Sequence, residues 1–376
     1  MHNKAPFKRV QLNLLQAFRG IAALLVVLFH VDQLSNENLN QPFLFDFFQF
    51  GSAGVDYFLV LSGFVAIYAH WHELGQRSFK KFKSFLTKRF IRIYPVYWIV
   101  SIVVIAFLFV MPGFAKKGDL TLEFLGKSFL LFPQSEAPLL DVGWTLILIV
   151  FFYLIFSLVF ILPLRFYLPL VVLLMLASGT QYIQGLAVTN EYPVLQLLTN
   201  SLNPEFALGC LAAWLALTRN LPQRKSIFIA GSTLFLLVGI LHAYDVILDI
   251  EPLQLFGTTL LLNRVFFFGI PCFLLVLGAA SLDLNKGTEI PQSLNYLGNA
   301  SYSIYLIHSP VVSAMTKLAV KFNLGNSPIQ ALLIGFLILA IALTLGCLFY
   351  SFVEQPIVGF LRQRLIKRKT PAKSAV

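Results

Sequence analysis

An all-α bundle of about ten transmembrane helices, with both the N-terminus and the C-terminus in the cytoplasm, is the fold class that three features of this sequence predict. Of 376 residues, 58% are hydrophobic and 12% charged, where a soluble domain carries about 25% charged residues. Apolar runs long enough to span a bilayer recur along the whole chain, and basic residues gather in every second connection between them. Phe alone occurs 38 times, more aromatic volume than a soluble core of this size could hide beside its Leu, Ile and Val. The apolar solvent is therefore expected to be lipid.

A transmembrane helix needs roughly 17 to 25 predominantly apolar residues. Runs approaching or meeting that length extend from Leu14 to Val31, Val55 to Ala69, Ile91 to Met111, Gly143 to Leu162 and Phe166 to Ile183. They continue from Pro204 to Leu217, Ser226 to His242, Leu262 to Ser281, Ala300 to Val320 and Ile329 to Val353. No small-residue cleavage site follows the first run, which leads into Val31, Asp32 and Gln33, so it is expected to stay as the first span. No internal repeat or low-complexity tract appears, and residues 1–376 read as one integral membrane domain.

Charge supports the same division. Lys4, Lys8 and Arg9 precede the first span, and Arg77, Lys80, Lys81, Lys83, Lys88, Arg89 and Arg92 follow the second. Arg165, then Arg219, Arg224 and Lys225, then Lys286, then Arg362 through Lys373 continue the series. Loops 32–53, 182–203 and 244–261 contain no Lys or Arg, but carry Asp32, Glu37, Asp46, Glu191, Asp245, Asp249 and Glu251. This is the positive-inside pattern of a multi-pass membrane protein. It accounts for the net charge of +11 without a nucleic-acid partner. Lys317 and Lys321 break the pattern, and loop 112–142 is mixed. The three cysteines, Cys210, Cys272 and Cys347, lie far apart inside apolar runs with no metal-ligand spacing, so no metal site is expected.

An ionisable side chain inside the hydrocarbon is costly unless paired or wetted, which makes it a functional candidate. Arg19 and His30 stand eleven residues apart in the first span, about three helical turns, so both project from one face roughly 16 Å apart along the axis. Each also has an ordinary reading, Arg19 snorkelling to the inner interface and His30 sitting among outer headgroups. Asp56 opens the second span at the level where the first ends, and could orient His30 as a general base or simply cap its own helix. Arg89 and Arg92 are one turn apart at the entry to the third span. Paired guanidinium groups suit phosphate, although a basic flank is expected there in any case. His308 lies mid-span in the polar stretch Ser301 to Pro310, and Glu354 ends the last span within reach of Arg89 or Arg92. Helix packing and a plain helix-end carboxylate are the respective alternatives.

These stretches together resemble acyltransferase family 3, membrane proteins that acylate hydroxyls of surface polysaccharides, lipopolysaccharide and other exported glycans. The likeness rests on Leu15-Gln16-Ala17-Phe18-Arg19-Gly20 running on to His30, on Gly54-Val55-Asp56-Tyr57-Phe58 through Ser62-Gly63-Phe64, and on Arg89-Phe90-Ile91-Arg92. Ser301 to His308, with Tyr302 early in it, and Glu354-Gln355-Pro356 complete it. The resemblance implies transfer of an acyl group, expected to be acetyl, from acyl-CoA to a glycan or lipid-linked glycan hydroxyl in a bacterial inner membrane. It implies no bound cofactor. His30 and Asp56 would be catalytic, Arg19, Arg89 and Arg92 would bind the donor, and Trp144, Tyr302, His308 and Glu354 would support them. One departure stands out. Such proteins usually carry an acidic residue five positions after the fourth-span Trp, and here Trp144 is followed at that distance by Ile149. Two other readings are a catalytically impaired member of the family and a glycolipid transporter or flippase. A transporter of this kind would show paired broken helices in two related halves, and none is evident.

Overall fold

The computed structural model describes residues 10–114, 120–183, 192–244, 246, 253–255, 258–260 and 264–366. Lys4, Lys8, Arg9, Glu191, Asp245, Asp249, Glu251 and the basic tail from Lys367 to Lys373 lie outside the described residues. Helix dominates. The elements are α1 (Asn13–Leu39), a 3-10 segment (Phe43–Ala53) leading into α2 (Gly54–His70), α3 (Phe79–Val110), a short α4 (Leu122–Leu130), α5 (Gly143–Ser157) and α6 (Leu164–Gly179). Then come a short α7 (Pro193–Leu198), α8 (Asn203–Thr218) and α9 (Arg224–Ala243). Beyond a small antiparallel pair, β1 (Leu253–Leu255) with β2 (Thr258–Leu260), lie α10 (Ile270–Lys286), α11 (Gln292–Lys321), α12 (Pro328–Phe349) and α13 (Gln355–Leu365).

Among the described residues nine helices are long and apolar enough to cross a bilayer, so the chain is a multi-pass membrane protein. They coincide with nine of the ten apolar runs; the tenth, Pro204 to Leu217, falls within the 16-residue α8. Helix direction bears on that segment. α1 and α11 lie side by side with Gln16 against Gly298, Arg19 on Ser301 and His30 on His308. Positions rise together along both helices, so the two run parallel, which requires an odd number of crossings between them. The long apolar helices in between are α2, α3, α5, α6, α9 and α10, an even number. α8 makes it odd, and it occupies the interior, with Ala212 and Ala213 fully buried.

Close approach sets these contacts. A side-chain carbon at Gly298 would overlap the backbone carbonyl of Gln16, and one at Gly209 on α8 would overlap that of Val60 on α2. In lipid, helices associate mainly by such close packing of small residues, because burial of apolar surface no longer discriminates between lipid and protein. Gly209→Leu is therefore expected to push α8 from α2 and lower stability by about 1–3 kcal/mol, as overpacked cores do. A fall in the melting temperature of the detergent-solubilised protein checks it; an unchanged melt would mean that α2 and α8 separate freely.

The segment between α3 and α5 is anchored to the bundle by aromatic hydroxyl and indole groups. Tyr94, Tyr97 and Trp98 of α3 donate to the carbonyls of Leu130, Ser128 and Phe129 at 3.1, 2.9 and 2.9 Å. These carbonyls belong to the last turn of α4, where an isolated helix leaves its acceptors unmet. The start of α5 lies beside α3, with the Gly143 position close to Pro138 and the Tyr97 hydroxyl.

Candidate active site

A cavity of about 520 Å³ opens among α1, α2, α3, α5 and α11, and Arg19, Arg89 and Arg92 all line it. It lies toward the end of the bundle where α1 begins and α13 follows α12. Arg19 donates to Gln16 Oε1 at 2.9 Å and to Ser301 Oγ at 3.1 Å. Arg92 pairs with Glu354, whose other oxygen accepts from Ser303 at 2.6 Å. Glu354 is 1% exposed, so it is a buried partner and no mere helix-end charge. It sits on the π turn Tyr350–Glu354 that joins α12 to α13, a distortion common at functional positions. Tyr302 donates to the Ile93 carbonyl at 2.8 Å and carries the Arg92 guanidinium over its ring at 5.4 Å.

Arg89 is held differently. Its guanidinium is stacked between Tyr153 at 4.4 Å and Phe85 at 5.1 Å, and its buried Nε and Nη2 have no hydrogen-bond partner among the described residues. Buried donors are nearly always satisfied, so two unmet N–H groups of a cation in a cavity wall call for an anion. Ile149 lines the same cavity one turn from Tyr153, and offers Arg89 no carboxylate.

Beyond the cavity lie the histidines. Tyr305 lines it, donates to the Val142 carbonyl at 3.2 Å and shares a 2.7 Å hydrogen bond with Thr145. Its ring packs on Phe58 at 5.9 Å and on His308 at 5.7 Å. His308 is fully buried, and its Nε2 is 3.3 Å from His30 Nδ1. The tautomers follow from the partners. His308 Nδ1 faces the Ile304 carbonyl at 3.1 Å, and His30 Nδ1 faces the Val26 carbonyl at 2.9 Å. Carbonyls only accept, so both Nδ1 atoms carry hydrogen in the neutral rings. His308 Nε2 then presents a lone pair to the same His30 Nδ1–H that the Val26 carbonyl accepts, as the longer arm of a bifurcated bond, and His30 Nε2 is an unprotonated acceptor available as a base.

Two expectations are corrected. Asp56 does not orient His30: its carboxylate is taken by Arg264, which donates Nε at 2.9 and 2.8 Å and Nη2 at 2.6 Å. Arg264 also donates to the Ser52 carbonyl. Asp56 makes no side-chain cap to its own helix either. The reason is the face it occupies, since α2 turns Asp56 toward α8 and α10, whereas His30 faces α11. Fully buried Glu205 of α8 lies beside the pair, with neither of its oxygens hydrogen-bonded among the described residues. Trp144 does not line the cavity. It is 40% exposed, because Thr145, about 100° further round α5, takes the inward position.

Sequence reasoning passed over Arg264 and Glu205, although both are charges inside apolar runs, the signal that singled out Arg19. Tyr305 carried no such signal, since a tyrosine in an apolar span is unremarkable until its neighbours are known.

The acyltransferase domain family matches residues 12–350. The chain belongs to acyltransferase family 3. It is therefore an acyltransferase. Among characterised proteins it is similar to the exopolysaccharide production protein ExoZ of Rhizobium meliloti (strain 1021), 29% identical over 339 residues that cover 87% of this chain and 96% of the relative. No solved structure matches the chain significantly.

Proposed function

We propose that this acyltransferase takes an acyl group, in the first instance acetyl, from cytoplasmic acyl-CoA and transfers it to a hydroxyl of an exported polysaccharide or its precursor in the inner membrane. The similarity to a protein of exopolysaccharide production supports the acceptor class. Basic loops that alternate with acidic ones support a cytoplasmic location for both ends, and hence for the arginine end of the cavity. The observation that carries the donor assignment is Arg89, stacked and half-buried, with its buried Nε and Nη2 lacking a counter-anion among the described residues. A CoA phosphate meets its Nε and Nη2, with Arg19 and Arg92 adding positive potential. The thioester then points past Tyr305 and Thr145 toward His30.

In the transfer, the acceptor oxygen attacks the thioester carbonyl carbon as its proton passes to His30 Nε2. The tetrahedral intermediate collapses with cleavage of the C–S bond, and the thiolate recovers the proton from the imidazolium. The Val26 carbonyl and His308 Nε2 stabilise that imidazolium by sharing its Nδ1–H, and keep the ring oriented in the neutral state. Arg89→Ala is expected to weaken acyl-CoA binding roughly 10- to 100-fold, the worth of one or two charge-assisted hydrogen bonds. Equilibrium binding of a non-hydrolysable acetyl-CoA analogue to the purified protein measures it. Wild-type affinity in this variant would reduce Arg89 to a topology signal.

A further inference from the structure

Acyl transfer creates a negative charge that the arginines do not meet. When an acceptor oxygen bonds to the thioester carbonyl carbon, the electron pair leaving the C=O bond collects on the carbonyl oxygen. In a site poor in water, that oxyanion needs a hydrogen-bond donor fixed in place beforehand. Arg19 is held by Gln16 and Ser301, Arg92 by Glu354, and Arg89 is stacked between Phe85 and Tyr153. No hydrogen bond or ring contact joins any of the three to His30 or His308 among the described residues.

Two hydroxyl groups stand where the cavity approaches the histidines. Tyr305 and Thr145 both line it, and the Tyr305 ring packs on that of His308 at 5.7 Å. Their oxygens are 2.7 Å apart. Thr145 Oγ1 donates to the Val142 carbonyl at 2.9 Å, and the Tyr305 hydroxyl is farther from that carbonyl, at 3.2 Å. With the Thr145 hydrogen on Val142, the Tyr305 hydrogen rests mainly on the Thr145 oxygen. Other tyrosines of the bundle are used differently. Tyr57, Tyr97 and Tyr302 donate to the carbonyls of Leu15, Ser128 and Ile93 at 3.0, 2.9 and 2.8 Å, and no second hydroxyl serves those carbonyls among the described residues. Tyr305 is thus a buried donor whose main acceptor is a neutral hydroxyl, which an anionic oxygen outbids because charge-assisted hydrogen bonds are stronger. Thr145 also lies in the first turn of α5, which has no acidic residue and no side-chain cap, so the positive end of that helix favours negative charge beside it.

We infer that Tyr305 is a catalytic residue of the transfer, its hydroxyl donating to the oxyanion of the tetrahedral intermediate while Thr145 positions it. The inference rests on the acyl-transfer function proposed above and adds an electrophilic group to its base. As the acceptor oxygen bonds to the carbonyl carbon, its proton passes to His30 Nε2 and the Tyr305 hydroxyl exchanges Thr145 for the new oxyanion. When the C=O bond re-forms, the C–S bond breaks, the thiolate takes the proton from His30, and Tyr305 returns to Thr145. No proton leaves Tyr305.

The test uses the full chain in membrane vesicles of the native producer, with radiolabelled acetyl-CoA as donor and label in the endogenous glycan as the readout. Tyr305→Phe keeps the ring against Phe58 and His308 and removes only the hydroxyl. It should lower turnover by a factor of about 10² to 10³, the usual cost of one lost oxyanion donor, with unchanged affinity for a non-hydrolysable acetyl-CoA analogue. Thr145→Val, which removes only the positioning bond, should cost roughly tenfold or less. A second readout excludes a merely structural hydroxyl: the infrared carbonyl band of carbonyl-labelled acetyl-CoA bound to purified, glycan-free protein. Loss of the hydrogen bond stiffens C=O, so Tyr305→Phe should move the band to higher frequency. Should that variant fail to fold, a ring-fluorinated tyrosine at position 305, a stronger donor, must move the band to lower frequency. Wild-type turnover in Tyr305→Phe, an unmoved band in either protein, or a loss of analogue affinity as large as the loss of turnover would each overturn the inference. Wild-type protein that binds no acetyl-CoA would overturn the donor reading itself, which an unmoved band in a protein that binds and transfers would leave standing.

Discussion

His30→Ala is expected to lower acyl transfer by a factor of about 10² to 10⁴, the usual contribution of a positioned general base, while leaving acyl-CoA affinity unchanged. The separation follows from the layout. Arg19, Arg89 and Arg92 line the cavity, whereas His30 lies beyond Tyr305 and His308 and touches none of the arginines. Turnover by the purified protein, together with mass spectrometry of surface glycans from a strain carrying only the variant, measures the effect. Wild-type acylation would eliminate His30 as the base. His308→Gln provides the complementary measurement, because His308 acts through His30 and not on the substrate. Its amide can still accept from His30 Nδ1–H, so a smaller loss and an altered pH–rate profile are expected. A loss as large as that of His30→Ala, with no change in the pH profile, would point to a separate role for His308.

Arg264→Ala is expected to destabilise the protein by about 3–5 kcal/mol, the cost of removing one partner from a buried ionic cluster. Arg264 contacts Asp56 through two of its nitrogens, and Glu205 is buried beside the pair, so loss of Arg264 leaves two carboxyl groups in the interior without a compensating charge. Both carboxylates are fully buried, and surface screening cannot soften the effect. Thermal unfolding in detergent and the yield of folded protein measure it. Asp56→Asn combined with Arg264→Gln should recover part of the loss, since two neutral amides can still hydrogen-bond each other. A single variant with wild-type stability would show that the cluster does not hold α2, α8 and α10 together.

The arginine cavity was largely legible in the sequence and the catalytic geometry was not, for a physical reason. Arg19, His30, Arg89 and Arg92 stood out because lipid penalises charge, so each charge retained near a span reports a local compensation. The penalty says nothing about which compensation. Asp56 and His30 are both polar groups near the junction of the first two spans, and only the rotation of α2 decides that Asp56 meets Arg264 instead. Glu354 looked like an interfacial carboxylate until α3 and α11 enclosed it with Arg92 and Ser303.

Membrane residence and the approximate span boundaries were determined by composition and spacing alone, since a hydrophobic helix of sufficient length is stable in lipid wherever its neighbours lie. The pairing of helices was decided by tertiary structure, because in lipid it depends on small residues meeting across a contact, as Gly298 meets Gln16 and Gly209 meets Val60. That pairing sets α1 parallel to α11, and so places His308 against His30, residues 278 positions apart in the chain. Helical periodicity put Arg19 and His30 on one face of α1; only the packed bundle determined which helix that face would find.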